Sequence, residues 1–177
     1  MVFNSIADYV DTKAIHLQMN ATDWVDVVAL MSCRLLAGGN VQPAFVQSVM
    51  TREQAHPTGV RLKSGLCVAL PRTDPELVLR PCLALATLAR PVLFGSIGDP
   101  AARLPVRLVI MAASSDQAGH VRALSRIAGM FQGTRTIENL VDAQSIAYVA
   151  AAICNSRDAL VATSPTGQLA DDLRFMQ

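Results

Sequence analysis

Three short polar segments of this chain carry side chains that could do chemistry: Arg52-Glu53, Arg72-Thr73-Asp74 and His120. The chain offers no confident Ser-His-Asp, Cys-His or paired-carboxylate arrangement, and its three histidines do not form a metal-binding pattern. A glycine-rich phosphate loop is also absent from the sequence. Residue types and spacing alone therefore mark candidate positions without identifying a reaction.

Each candidate position could also be purely structural or lie on the surface without a function. An Arg-Glu pair that ends a helix is usually a solvated helix end, which would apply to Arg52-Glu53. The segment around Arg72-Thr73-Asp74 is flanked by prolines and is typical of a turn, in which Asp74 would cap backbone amides. An imidazole in the first turns of a helix, as predicted for His120, is compatible with a surface position or with a bond to a neighbouring loop.

The hydrophobic pattern places these segments at the ends of helices and strands. Thr22 as the N-cap and apolar residues at helical spacing predict a helix over residues 23–37, and Pro43 begins a second helix that ends near Gln54. Continuous apolar runs predict buried strands, and amphipathic spacing predicts two further helical regions. The strands are predicted at 65–70, 82–88, 92–94 and 106–112, and the helices at 116–131 and at 136–153, the latter in two pieces around Asp142.

Buried strands between amphipathic helices predict an α/β fold, a three-layer sandwich with a central mixed β-sheet flanked by helices on both faces. In such sheets, ligands usually bind where strands end and the following helices start. We expect one domain over residues 1–154. The tail at 155–177 mixes Ser-Pro, Thr-Gly and charged residues, so we expect it to be partly disordered or loosely docked.

The composition argues against several functional classes. The chain is 51% hydrophobic and 16% charged, and its 15 basic and 14 acidic residues give a net charge of +1 without a basic cluster, which argues against nucleic-acid binding. Neither a membrane-spanning apolar run nor a signal peptide is recognisable, so we expect a cytoplasmic protein. The four cysteines are widely spaced among apolar neighbours, which favours buried reduced thiols over a metal site. We expect no cofactor, and the apolar composition is compatible with a homodimer.

Several motifs follow one another in a fixed order. They are Arg52-Glu53, Thr58-Gly59, a strand ending in Ala69-Leu70-Pro71, Arg72, and a helix that carries His120. This order resembles the enzyme IIA domains of the fructose–mannitol superfamily of the sugar phosphotransferase system, over roughly residues 6–150. Thr73-Asp74-Pro75-Glu76, together with the runs at 90–95 and 98–99, is most similar to the galactitol-type branch.

The resemblance implies a relay of phosphoryl groups. Enzyme IIA accepts a phosphoryl group on a histidine from the histidine phosphocarrier protein and passes it to enzyme IIB, which phosphorylates the sugar that the membrane permease carries inward. By resemblance, Arg52 matches the supporting arginine and His120 the supporting histidine. Arg72, however, stands where the phosphoryl-accepting histidine is expected. Because arginine stays protonated and has no free lone pair, Arg72 is not expected to act as the acceptor.

Four interpretations of Arg72 remain open at this point. The protein could be a regulatory relative that is not phosphorylated but still docks a partner. Arg72 with Arg52 and His120 could instead bind a phosphate-bearing ligand or the phosphorylated histidine of a partner. His120 could have taken over as the acceptor, or the chain could be a decayed relative without activity.

Overall fold

A mixed β-sheet lies at the centre of the part of the chain that the computed structural model describes, residues 9–72, 74–99, 101–115 and 134–155. Its strands are ordered β1-β4-β5-β3-β2. The neighbours β1 and β4, and β3 and β5, run parallel, whereas β4 and β5, and β2 and β3, run antiparallel. In chain order the elements are β1 (Val10–Met19), α1 (Trp24–Ala37), α2 (Ala44–Ala55), β2 (Gly59–Arg61), β3 (Cys67–Ala69), a 3-10 helix (Pro75–Leu77), β4 (Cys82–Gly95), β5 (Arg103–Ala113), α3 (Thr134–Val141) and α4 (Ile146–Asn155).

Helices cover both faces of this sheet, which confirms the predicted three-layer α/β sandwich. The strand β4 shows how the sequence divides the two layers, because successive side chains of a strand point to opposite faces. Leu83 and Leu85 belong to the core under α3 and α4. The smaller Ala84 and Ala86 belong to the core under α1 and α2. Small residues on this second face leave room for larger helix side chains, among them Phe45.

The two edge strands were not predicted from the sequence. The strand β1 reads Val-Asp-Thr-Lys in its first half, and this polar start hides the period of two that a half-buried strand should show. The strand β2 contains only three residues, which is too short for a hydrophobic period to stand out. Both strands lie at an edge of the sheet, where polar and charged side chains are common.

The predicted strands at 82–88 and 92–94 are one continuous strand, β4, which runs through Arg90-Pro91. Proline has no backbone N–H, so in a central strand it removes one hydrogen bond to a neighbouring strand. Here, however, the pairing of β1 with β4 reaches only Leu88, and the register between β4 and β5 shifts between Thr87 and Val92. The proline therefore lies in an irregular part of the ladder that β1 does not reach, so the missing N–H is tolerated.

The predicted helices are largely in place where the structure describes them. The helix α1 begins one residue later than expected, because Asp23 and not Thr22 is its N-cap and accepts a hydrogen bond from the backbone N–H of Asp26. The region 136–153 is helical in two pieces separated near Asp142, as predicted. The predicted helix at 116–131 and the tail beyond Asn155 lie outside the described residues.

The described helices contain none that is long and apolar enough to cross a membrane. Of the cysteines in the described ranges, Cys67 and Cys82 are buried free thiols, in agreement with the sequence interpretation. The thiol of Cys33 is exposed on α1, so the expectation of burial was wrong for this residue. In the same ranges, His, Cys, Asp and Glu side chains form no group of three that could hold a metal ion.

Candidate functional site

The last turn of α2 carries the first pair of candidate residues, Arg52 and Glu53. Neighbouring residues of a helix point about 100° apart, so the two side chains face different surroundings. The side chain of Arg52 is 34% exposed and donates from Nη1 to a carboxylate oxygen of Asp74 at 3.0 Å. Glu53 points inward and is only 4% exposed. The interpretation of this pair as a solvated helix end was therefore wrong for Glu53.

The buried carboxylate of Glu53 ties the end of α2 to the end of β3. It accepts hydrogen bonds from the backbone N–H of Thr58 at 2.9 Å and from the Thr58 hydroxyl at 2.8 Å. The same hydroxyl oxygen accepts the backbone N–H of Leu70 at 3.0 Å. Because Leu70 lies two residues before Arg72, this chain of bonds fixes the segment from which Arg72 projects.

Burial raises the pKa of Glu53 to about 7, although the two hydrogen bonds from Thr58 act in the opposite direction. An ionised carboxylate can satisfy both Thr58 donors at once, whereas its neutral form has to accommodate a proton in the same small space. The state of this bond network therefore changes near neutral pH.

Arg72 lies three residues after the end of β3 and is partly buried. Burial and the like charge of Arg52 together lower the pKa of its guanidinium to about 10, although the negative charge of Asp74 acts in the opposite direction. At neutral pH the guanidinium still carries its charge. The structure thus brings Arg52, Arg72 and Asp74 together, with two fixed cations and one carboxylate at the end of β3.

Asp74 is the N-cap residue of the 3-10 helix, but its side chain makes no capping hydrogen bond there. The expectation that Asp74 caps backbone amides was therefore wrong. Its carboxylate turns to Arg52 instead, and its side chain stays 63% exposed.

The segment after Asp74 is anchored to the loop between α1 and α2. The backbone N–H of Gln42 donates to the carbonyl of Leu77 at 2.9 Å. The carbonyl of Asn40 accepts the backbone N–H groups of Leu79 and Arg80 at 2.8 and 2.9 Å. The Arg80 guanidinium also bonds to the carbonyls of Gly38 and Gly39, which end α1. These bonds hold the backbone near Asp74 independently of what its carboxylate does.

The Thr58-Gly59 motif is explained by close packing beside the site. A Cβ atom at Gly59 would lie 2.4 Å from the carbonyl oxygen of Gly95, which is a backbone atom and cannot swing away. The carbonyl of Gly59 also accepts the N–H of Ile97 at 2.9 Å. The sequence predicted no role for Thr58 beyond its place in the Thr58-Gly59 motif. Its role as the link between Glu53 and Leu70 was missed, because no local pattern shows which distant N–H a hydroxyl will accept.

His120 lies outside the described residues, and so does Thr73. The structure does describe the strand that leads toward His120: β5 runs parallel to β3, so both strands end at the same edge of the sheet. Arg72 follows β3 at that edge, and Ser114 follows β5 there in a buried position. The description of the site therefore rests on Arg52, Arg72 and Asp74, with the Glu53 network beneath them.

Two arginine side chains near the end of a strand in a three-layer α/β fold supply hydrogen-bond donors and charge that suit an anion. Residues 8–156 match the family model described as "Phosphoenolpyruvate-dependent sugar phosphotransferase system, EIIA 2". This match covers most of the chain, so the chain belongs to the EIIA 2 family of the sugar phosphotransferase system.

Individual relatives agree with this assignment. The chain is 31% identical over 130 residues to a Mycoplasma pneumoniae protein named "Ascorbate-specific PTS system EIIA component", which covers 72% of this chain and 77% of that protein. The structure of this chain is similar to that of a candidate PTS IIA protein, PtxA, from Streptococcus mutans. The TM-score is 0.70 at 25% identity, over 82% of this chain and 89% of that one. A chain in the complex of enzyme IIA for mannitol with phosphorylated enzyme IIB from Escherichia coli shares the fold. The TM-score is 0.68 at 23% identity, over 82% of this chain and 96% of that one.

Proposed function

We propose that this protein is an enzyme IIA-type component of sugar uptake whose site recognises a phosphoryl group but does not accept it covalently at residue 72. The observation that carries this proposal is the partly buried, charged Arg72 at the end of β3, close enough to Arg52 for the two charges to interact. The proposed partners are the histidine phosphocarrier protein and enzyme IIB, and the proposed location is the cytoplasm beside the membrane permease.

The chemistry of the two side chains supports recognition without transfer. Phosphoryl transfer to a protein needs a nucleophile with a free lone pair, and a protonated guanidinium has none. The same group offers several N–H donors in a rigid plane, a geometry that suits the oxygens of a phosphoryl group. Arg52 supplies a second such group, and His120 is proposed to add a third donor, as its match to the supporting histidine of the family implies.

The sugar is proposed at the level of a class. The motif around Asp74-Pro75 is similar to the galactitol-type branch, whereas the Mycoplasma pneumoniae relative is named ascorbate-specific. We therefore propose a sugar-derived polyol or acid, and galactitol stays a prediction. Uptake of radiolabelled galactitol and ascorbate by cells with and without the gene separates the two, and loss of neither would contradict a role in their transport.

A second candidate function is a regulatory module that binds a phosphorylated partner or another anion without a role in the relay. The observation that favours it is that an arginine stands at position 72, above a bonded network of Glu53, Thr58 and Leu70. A pull-down with phosphorylated and unphosphorylated enzyme IIB tests this function, and equal capture of both forms would count against it.

Reconstitution with enzyme I, the phosphocarrier and phosphoenolpyruvate tests the main proposal. We expect no acid-labile phosphohistidine on the wild-type protein. We expect Arg72→His to become phosphorylated, whereas Arg61→His, an exposed position on β2, should not. Phosphorylation of the wild type, located on His120 by mass spectrometry, would overturn the proposal. An unphosphorylated Arg72→His variant with an intact fold would show that the pocket is no longer competent.

A further inference from the structure

Asp74 lies where a bound anion would be expected at this site. Its carboxylate accepts a hydrogen bond from Arg52 at 3.0 Å. Its charge also favours the protonated form of Arg72, so it interacts with both cations. The carboxylate therefore contacts Arg52 directly and acts on Arg72 through its charge.

This carboxylate is placed so that it can leave without disturbing the fold. The side chain is 63% exposed and makes no capping hydrogen bond to the 3-10 helix. The backbone that follows is held separately, by the bonds of Leu77, Leu79 and Arg80 to the loop between α1 and α2. A change of side-chain rotamer at Asp74 is therefore enough to open the contact with Arg52.

We propose that Asp74 is an internal counter-anion that an incoming phosphoryl group displaces from Arg52, so that only an anion that binds strongly enough to replace this contact occupies the site. This inference rests on the proposed function, since it takes Arg52 and Arg72 as the site of phosphoryl recognition. It adds a residue that lowers the affinity of that site for every anion and assigns it a competing role.

The strengths of the competing contacts determine which anions can replace Asp74. An exposed arginine–carboxylate pair is weak, so displacing Asp74 lowers the affinity for a ligand by about fivefold or less. A phosphoryl dianion recovers this loss, because it carries more charge and offers several oxygens to two guanidinium groups. A monoanionic carboxylate only replaces Asp74 with an equivalent group and also loses its translational freedom.

Titrations with inorganic phosphate and with acetate, followed by amide chemical shifts of the labelled protein, test the inference. We expect Asp74→Asn to bind phosphate about two- to fivefold more tightly than the wild type and to bind acetate more tightly by a similar factor, because both ligands displace the same contact. Glu76→Gln is the matched control, because it removes the same charge from an exposed residue two positions away. Among the described residues, Arg52 pairs with Asp74 and not with Glu76. An equal gain in Glu76→Gln would reduce the effect to net charge and overturn the inference.

Two further variants keep this test distinct from that of the proposed function. If phosphate binds the wild type and Arg72→Gln equally well, or binds neither the wild type nor Asp74→Asn, the proposed site itself is refuted. If the wild type binds, Arg72→Gln does not, and Asp74→Asn shows no gain, only the role of Asp74 is refuted. In an Arg52→Gln background the gain from Asp74→Asn should shrink. Should Asp74→Asn fold poorly, Asp74→Ser, which also removes the carboxylate, is read by the same criteria.

Discussion

Replacing Glu53 with glutamine should remove a large part of the pH dependence of stability. Glu53 is the buried carboxylate that links α2 to β3, and burial raises its pKa to about 7 from 4.5. An acid with a raised pKa binds more protons in the folded state than in the unfolded state. Its contribution to stability is therefore complete below pH 4.5, declines as the pH rises, and is lost above about pH 7.

The size of this effect follows from the shift. The difference between about 7 and 4.5 is about 2.5 units, and each unit corresponds to about 1.4 kcal/mol, so Glu53 should lower the free energy of unfolding by about 3 kcal/mol between these limits. Glutamine has a similar shape and cannot ionise. Relative to the wild type, Glu53→Gln should therefore gain about 3 kcal/mol on going from pH 4.5 to pH 8, whatever constant cost the amide imposes.

Urea unfolding at a series of pH values, followed by circular dichroism, measures this difference. Groups other than Glu53 titrate in both proteins and cancel when the curves are subtracted. Glu76→Gln provides the matched control, since it makes the same substitution at an exposed carboxyl. A difference between wild type and Glu53→Gln that stays flat within about 0.5 kcal/mol from pH 4.5 to 8 would refute the reasoning.

Two further predictions concern the packing beneath the site. Thr58→Val should lower the free energy of unfolding by about 2–3 kcal/mol, because the buried N–H of Leu70 loses its acceptor. Thr58→Ser keeps the hydroxyl and should stay within about 1 kcal/mol of the wild type. Equal losses in both variants, measured by urea titration, would argue against the hydrogen bond. Gly59→Ala should destabilise the protein by about 1–3 kcal/mol, because its Cβ would meet the carbonyl of Gly95. A Cβ at Gly98 would lie in open space, so Gly98→Ala should change the thermal stability little. A Gly59→Ala variant of unchanged stability would contradict the close approach.

The layered fold could be predicted because its central strands carry continuous apolar runs. Cys82 to Leu88 are all buried, which is what such a run indicates. The edge strand β1 could not be predicted, because it carries polar residues, as edge strands often do, and these interrupt the apolar pattern. The continuation of β4 through Pro91 depends on where β1 stops pairing, a tertiary fact that no local pattern contains.

The candidate site was predictable to a similar extent. The family resemblance, and not residue spacing alone, implied that Arg52 and Arg72 belong to one site, and the charge of Asp74 acts on both in the structure. The burial of Glu53 was not predictable, because no local pattern shows that Thr58 will donate to its carboxylate and accept the N–H of Leu70, which follows β3.

The supports beneath residue 72 bear on whether the acceptor can be restored. The bonds from Thr58 and Leu70 hold backbone groups, so they should place any side chain at position 72 in the same surroundings. Partial burial and the charge of Arg52 both lower the pKa of the guanidinium of Arg72. Acting on an imidazole, the same two influences favour its neutral form, which is the form that can attack phosphorus. The surroundings that make Arg72 a costly place for a charge are therefore those that a histidine nucleophile requires, which is why we expect Arg72→His to gain phosphorylation through a single substitution.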